Sequence, residues 1–169
     1  MLKEHLLSRN YDYNKYINHV LDEEASILTV FLSNLSGQFV GYQQYRPLQT
    51  AKKLIDPKQS RYFTYSPRQT IAVWGLETLD TTKKDLYVVE GIFKASALHM
   101  LGHNAVAVLT SHPKAMKSWL HTMPYNLIGI GDNDKAGKGI INVCGKGFQT
   151  EKDLDEYSLA EVQELLNQF

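Results

Sequence analysis

Two kinds of hydrophobic patterning divide the chain. From residue 83 onward, short apolar runs alternate with stretches whose apolar residues recur at helical spacing. Leu86-Tyr-Val-Val89 reads as a buried strand running into Glu90-Gly91, and a helix follows from about Phe93 to Leu101. Ala105-Val-Ala-Val-Leu109 reads as a second strand and Lys114 to Leu120 as a helix. Leu127-Ile-Gly-Ile-Gly131 is a third strand, and a helix runs from Asp134 to about Asn142. Ser158-Leu-Ala-Glu161 has the spacing of a capping box and opens a last helix through Leu166. Alternation of this kind predicts right-handed crossovers and a parallel sheet flanked by helices, an α/β fold.

The first half is patterned differently. Between Leu2 and about Glu24 the residues Tyr13, Ile17, Val20 and Leu21 recur at helical spacing, which predicts one or two short helices ending at Asp22-Glu-Glu24. On that reading Tyr11, Tyr13 and Tyr16 pack a core rather than stack on bases. Ile27-Leu-Thr-Val-Phe-Leu32 and Phe39 to Arg46 are β-branched and aromatic runs around the turn Asn34-Leu-Ser-Gly-Gln38, an antiparallel hairpin that Pro47 ends. A short strand is expected at Tyr62 to Tyr65, and Trp74-Gly-Leu-Glu77 should lead from a strand into a short helix. The predicted organisation is an N-terminal helical segment at 1–25, a hairpin and basic segment at 26–82, and the parallel α/β domain with its C-terminal helix at 83–169.

Composition narrows the functions. With 169 residues, 43% of them hydrophobic and 21% charged, the chain suffices for a sizeable core. No apolar run approaches the roughly 20 residues of a membrane span, and Met1-Leu-Lys-Glu-His5 lacks the order of a secretion signal, so a cytoplasmic protein with no membrane partner is expected. The one cysteine, Cys144, makes no internal disulfide and reads as a small buried residue. The formal net charge is zero, which excludes nucleic-acid binding by overall field and leaves local patches. One such patch holds Arg46, Lys52, Lys53, Lys58, Arg61 and Arg68 against Asp56, interleaved with Tyr62, Phe63 and Tyr65. Charge holds phosphate and rings stack on bases, so the patch suits a single strand or a triphosphate; a solvated loop is the other reading.

Glu90, Asp132 and Asp134 follow strands, and ligands of open α/β sheets bind beyond the carboxyl ends of strands. Asp132 and Asp134 are two apart, so extended backbone points both the same way. Carboxylates that converge raise one another's pKa unless a cation neutralises them, which asks for an oxygen-liganded ion: magnesium, with manganese as the alternative. Such a centre serves phosphoryl transfer. The competing reading makes Asp132 or Asp134 the cap of the following helix. Gly129-Ile-Gly131 matches half of a dinucleotide fingerprint, but the third glycine position is Asp134, which would repel pyrophosphate. His99 and His103 lack the accompanying acid of a zinc motif.

Val88-Val-Glu-Gly91 followed by Gly131-Asp-Asn-Asp-Lys-Ala-Gly137 resembles the Toprim domain, the metal-binding catalytic module of bacterial-type primases, type IA and II topoisomerases and some nucleases. The likeness is closest to bacterial and phage primases. It extends over Ser26 to Glu156, taking in the hairpin that ends in Arg46, Arg61-Tyr-Phe-Thr-Tyr-Ser-Pro67, Trp74-Gly-Leu76 and Lys152-Asp-Leu-Asp-Glu156. The resemblance implies that Glu90, Asp132 and Asp134 are catalytic and that Glu90, Asp132, Asp134, Asp153 and Asp155 bind Mg2+ or Mn2+. It also implies that Arg46 and Arg61 contact nucleotide or nucleic acid, and Lys52, Lys53 and Lys135 are expected to bind alongside them.

The expected function is nucleotidyl transfer on single-stranded DNA, making RNA primers in DNA replication from nucleoside triphosphates. A helicase or a separate template-binding subunit is the further partner this short chain leaves open. A nuclease of the same fold, or a nucleic-acid or replisome-binding module without catalysis, are the alternatives. One position departs from the primase pattern: Lys94 stands four residues after the glutamate, where primases carry an acid, which removes one candidate metal ligand and reads either as a charge that neutralises part of the acid cluster or as a mark of weakened metal binding. The sequence also shows no cysteine-rich zinc module, and the stretch before Ser26 is short beside the basic amino-terminal subdomain of the primases.

Overall fold

Alternating apolar positions build a four-stranded antiparallel sheet, and continuous apolar runs build a separate four-stranded parallel one. The computed structural model describes residues 1–110 and 112–169, in two compact units, 1–72 and 73–169. In the first unit, helix α1 (Leu2–Ser8) precedes β1 (His19–Asp22), β2 (Ile27–Ser33), β3 (Phe39–Tyr45) and β4 (Tyr62–Tyr65), paired in that order. The core holds Leu2, Leu6, Tyr11, Tyr16, Leu28, Val30, Leu32 and Tyr45. Burial of Tyr11 and Tyr16 agrees with their reading as packing residues. The hairpin β2–β3 turns where Asn34 Oδ1 accepts the Gln38 amide at 3.0 Å and Gly37 adopts φ +75°.

The amino-terminal helices expected through Glu24 end much earlier. After α1 come one 3-10 turn, Tyr13–Lys15, and then strand β1, antiparallel to β2. The helical spacing misled because two of the residues that created it, Ile17 and Val20, are exposed. A tight connection decides the outcome: Asp22 Oδ1 accepts the Ala25 amide at 2.8 Å, and Ser26 takes a positive φ of 54° that a helix would not allow. This pairing joins residues 1–25 to the hairpin in a single unit.

The second unit contains β5 (Asp85–Val89), α2 (Ile92–Met100), β6 (Ala105–Ala107), α3 (Lys117–Leu120), β7 (Asn126–Asp132), α4 (Lys135–Cys144), β8 (Gly147–Thr150) and α5 (Leu159–Gln168). Its sheet order is β6-β5-β7-β8, all parallel. Trp74 pairs through its backbone with Ala107 on the edge strand β6, which draws residues 73–82 into this unit rather than into the hairpin unit. Strand β8 went unread in the sequence, being four residues long and opened by a glycine. The capping box that opens α5 forms as expected, with Ser158 Oγ accepting the Glu161 amide and Glu161 accepting the Ser158 amide.

The chain runs from β5 outward to β6, then returns past β5 to β7 and continues to β8. Right-handed crossovers on the two sides of β5 place α2 on one face and α3 and α4 on the other. The reversal also sets the carboxyl ends of β5 and β7 side by side, where Val88 pairs with Gly129. Helix α4 reaches the end of β7 because glycines face each other there. A Cβ at Gly131 would collide with the Gly137 backbone, one at Gly137 with the Asp132 backbone, and one at Gly129 would sit 2.9 Å from the Ile141 Cα. The glycine pair thus serves helix–strand packing, not a dinucleotide. Gly131→Ala is expected to lower stability by about 2–3 kcal/mol in urea unfolding. An unchanged midpoint would show that α4 does not lie this close.

Candidate active site

Each chemistry-bearing side chain sits at an element boundary in the second unit. Glu90 directly follows β5, and its carbonyl accepts the Leu109 amide at 2.8 Å, which fixes the strand end. Gly91 caps α2 and places Lys94 in that helix's first turn. Asp132 ends β7. Asp134 caps α4 by accepting the Gly137 amide at 2.7 Å, as the capping reading anticipated. Asp153 and Asp155 lie at the short turn Leu154–Glu156, which is anchored by the buried Leu154.

Lys94 draws this set together. Its Nζ lies 2.5 and 2.6 Å from the two Asp132 oxygens and 3.1 Å from Asp153 Oδ1, with the lysine side chain only 13% exposed. Burial works against its charge, but Asp132 and then Asp153 outweigh that and hold its pKa above the ordinary lysine value. Burial pushes the pKa of Glu90 up; Lys94 pulls it down, and Asp132, Asp134 and Asp153 push it up again, so the net direction is upward. Glu90 therefore feels Lys94 and three of the other acids.

A further participant was not foreseen. Gln149, on β8, donates through Nε2 to the carbonyls of Asp132 at 2.6 Å and Asp134 at 2.9 Å, clamping the turn between β7 and α4. Its role follows from β8 lying beside β7, and no local pattern in the sequence announces it.

A divalent ion is the group this chemistry asks for, and oxygen donors suit magnesium. As placed, the residues do not fit one. Among the described residues, no three His, Cys, Asp or Glu side chains are set to share an ion. Both oxygens of Asp132 are engaged by Lys94 instead. Ligation of a metal by Glu90, Asp132, Asp134, Asp153 and Asp155 is what the resemblance implied, and in this arrangement Lys94 stands against two of the five, Asp132 and Asp153.

The basic residues divide between the units. In the first, the Arg46 amide donates to the Arg61 carbonyl at 2.9 Å, Arg46 Nη2 to Gln44 Oε1 at 2.6 Å, and Arg61 Nε to the Gln49 carbonyl at 2.7 Å. Arg46 Nη1 is buried with no hydrogen-bond partner. Lys52 and Lys53 are exposed in the loop between β3 and β4, and Lys135 is exposed in the first turn of α4, in the second unit. The two histidines singled out have structural partners: His99 Nε2 lies 2.9 Å from the Ala105 carbonyl oxygen, and His103 packs edge-on against Tyr87. Cys144 is buried, and burial pushes its thiol up to about 12.

The arrangement defines a class. The fold, with one parallel and one antiparallel four-stranded sheet, is similar to that of the Toprim-containing catalytic cores of bacterial and phage primases. A DNA primase domain from Pseudomonas aeruginosa is similar over 98% of this chain and 57% of its own, with TM-score 0.61 and 16% identity. The primase fragment of the bacteriophage T7 primase-helicase protein is similar over 89% of this chain and 64% of its own, with TM-score 0.61 and 15% identity. A DnaG primase catalytic domain bound to single-stranded DNA is similar over 98% and 57%, with TM-score 0.61 and 16% identity. This chain thus spans between half and two thirds of those chains. No protein-family model matches the sequence, and no curated protein matches it.

The upward shift of Glu90 has a consequence for stability. Its folded form holds a proton more tightly than its unfolded form, so the stability present at low pH is lost as pH rises through the folded pKa. Glu90→Gln should raise the thermal midpoint at neutral pH by roughly 1–3 °C, with the gain fading once pH falls below the ordinary carboxylate range. A melt series across pH checks this, and a lower midpoint at neutral pH would contradict it.

Proposed function

We propose that this chain is a primase-like core of DNA replication that binds single-stranded DNA and nucleoside triphosphates and joins ribonucleotides by nucleotidyl transfer. The observation that carries the reading is the primase-core fold running through both units, with Glu90 and Asp132 at the ends of adjacent parallel strands. One of the similar structures is bound to single-stranded DNA, which supports a nucleic-acid partner.

On this reading Arg46, Arg61, Lys52, Lys53 and Lys135 hold phosphates, and the unpartnered buried Nη1 of Arg46 is a donor ready for an anion. Glu90, its pKa raised, takes or holds the proton of the attacking hydroxyl. The Gln149 clamp on the Asp132 and Asp134 carbonyls and the α4 cap by Asp134 fix the backbone of the turn that carries the two acids.

A second reading is favoured by one observation. Because Lys94 engages both oxygens of Asp132, the pair must open before Asp132 can act on a substrate. A chain in which it stays closed is a nucleic-acid or replisome-binding module that does not turn over.

Labelled ribonucleotides, single-stranded DNA and either Mg2+ or Mn2+ in a gel assay decide between the two. The expected result is short RNA products that fall about 10²–10⁴-fold in Glu90→Gln and disappear in Asp132→Ala, both variants being checked for folding. DNA binding without product establishes the binding module. Cutting of nucleic acid without a triphosphate requirement would replace both readings with a nuclease.

A further inference from the structure

Lys94 is badly placed for a lysine. It lies in the first turn of the nine-residue helix α2, where the helix dipole disfavours a cation, and its side chain is only 13% exposed. The carboxylates around it account for its position. Its ammonium spans both Asp132 oxygens at 2.5 and 2.6 Å and Asp153 Oδ1 at 3.1 Å, joining the end of β7 to the turn that precedes α5.

A magnesium ion bound by Asp132 would need oxygen at about 2.0–2.1 Å with near-octahedral ligands around it. The Lys94 Nζ already fills the space in front of that carboxylate, and among the described residues no trio of acids is left to share an ion. We propose that Lys94 is the resident cation of this carboxylate centre, a tethered ammonium that holds Asp132 and Asp153 together and excludes a divalent ion while the contact is closed. Taking the ammonium away leaves carboxylates without a counter-charge, which costs stability and creates the oxygen-rich setting that a hard divalent cation binds. Removal of one side chain thus converts an ion-excluding centre into an ion-binding one.

This charge balance is independent of the reaction the chain performs. The test uses neither nucleotide nor DNA, so a chain that fails to make primers still answers it. The full chain, its Lys94→Gln, Lys94→Glu and Lys94→Arg variants and the double variant Lys94→Gln/Asp132→Asn are titrated calorimetrically with MnCl2 and MgCl2, and melted with each salt and with chelator. The unaltered chain and Lys94→Arg are expected to give no saturable heat and no shift in midpoint. Lys94→Gln should melt below the unaltered chain in chelator, recover by several degrees in Mn2+, and bind Mn2+ at least about tenfold more tightly than the unaltered chain. Lys94→Glu should bind more tightly still, and the double variant should lose the gain. Should Lys94→Gln fold only with Mn2+ present, that dependence carries the same conclusion. The proposal is overturned if the unaltered chain binds Mn2+ as tightly as Lys94→Gln, or if neither Lys94→Gln nor Lys94→Glu gains affinity.

Discussion

Carboxylates brought to the ends of neighbouring strands repel one another, at roughly 4 kcal/mol for a pair about 4 Å apart in a protein-surface dielectric. The strand order β6-β5-β7-β8 makes such a meeting unavoidable, because it sets the ends of β5 and β7 side by side and brings Glu90 within electrostatic reach of Asp132 and Asp134. Lys94 is the answer within the chain. Its ammonium engages Asp132 and Asp153, so the centre is held by a side chain of its own helix α2. Everything local to the site follows: the glycine-lined approach of α4, the cap by Asp134 and the Gln149 clamp all fix the turn that presents Asp132 to that ammonium.

Much of this could be read from the residues. The strands before Glu90 and Asp132, the hairpin, the capping box at Ser158 and the packing role of Tyr11 and Tyr16 follow local patterns of two or 3.6 residues, and local patterns survive in the fold. Three features did not show. β1 was hidden because Ile17 and Val20 mimic a helix while facing solvent. β8 was hidden because its four residues open on Gly147, whose neighbour Gly129 leaves no room for a Cβ. The Lys94–Asp132–Asp153 contact joins three distant segments, and only the folded sheet brings them together; the sequence offered Lys94 as a neutraliser of the acid cluster without saying which acids it touches.

The fold and the site bear on function at different levels. The fold is similar to that of primase catalytic cores, one of them bound to single-stranded DNA, and the hairpin unit carries the buried, unpartnered Nη1 of Arg46. On the proposed function, turnover requires the contact between Lys94 and Asp132 to open. A helix-borne lysine holds these carboxylates in place by its own charge, where an acid at the same position would add to their repulsion.

The protonation and contact of one ammonium group test the account most directly. Amine-selective nitrogen–proton correlation spectra of the 15N-labelled chain should show Lys94 as a slowly exchanging, fully protonated ammonium at neutral pH, and the signal should broaden into the solvent-exposed lysines in Asp132→Asn. A Lys94 signal that exchanges as fast as the surface lysines, unaffected by Asp132→Asn, would contradict the closed ion pair on which the account rests.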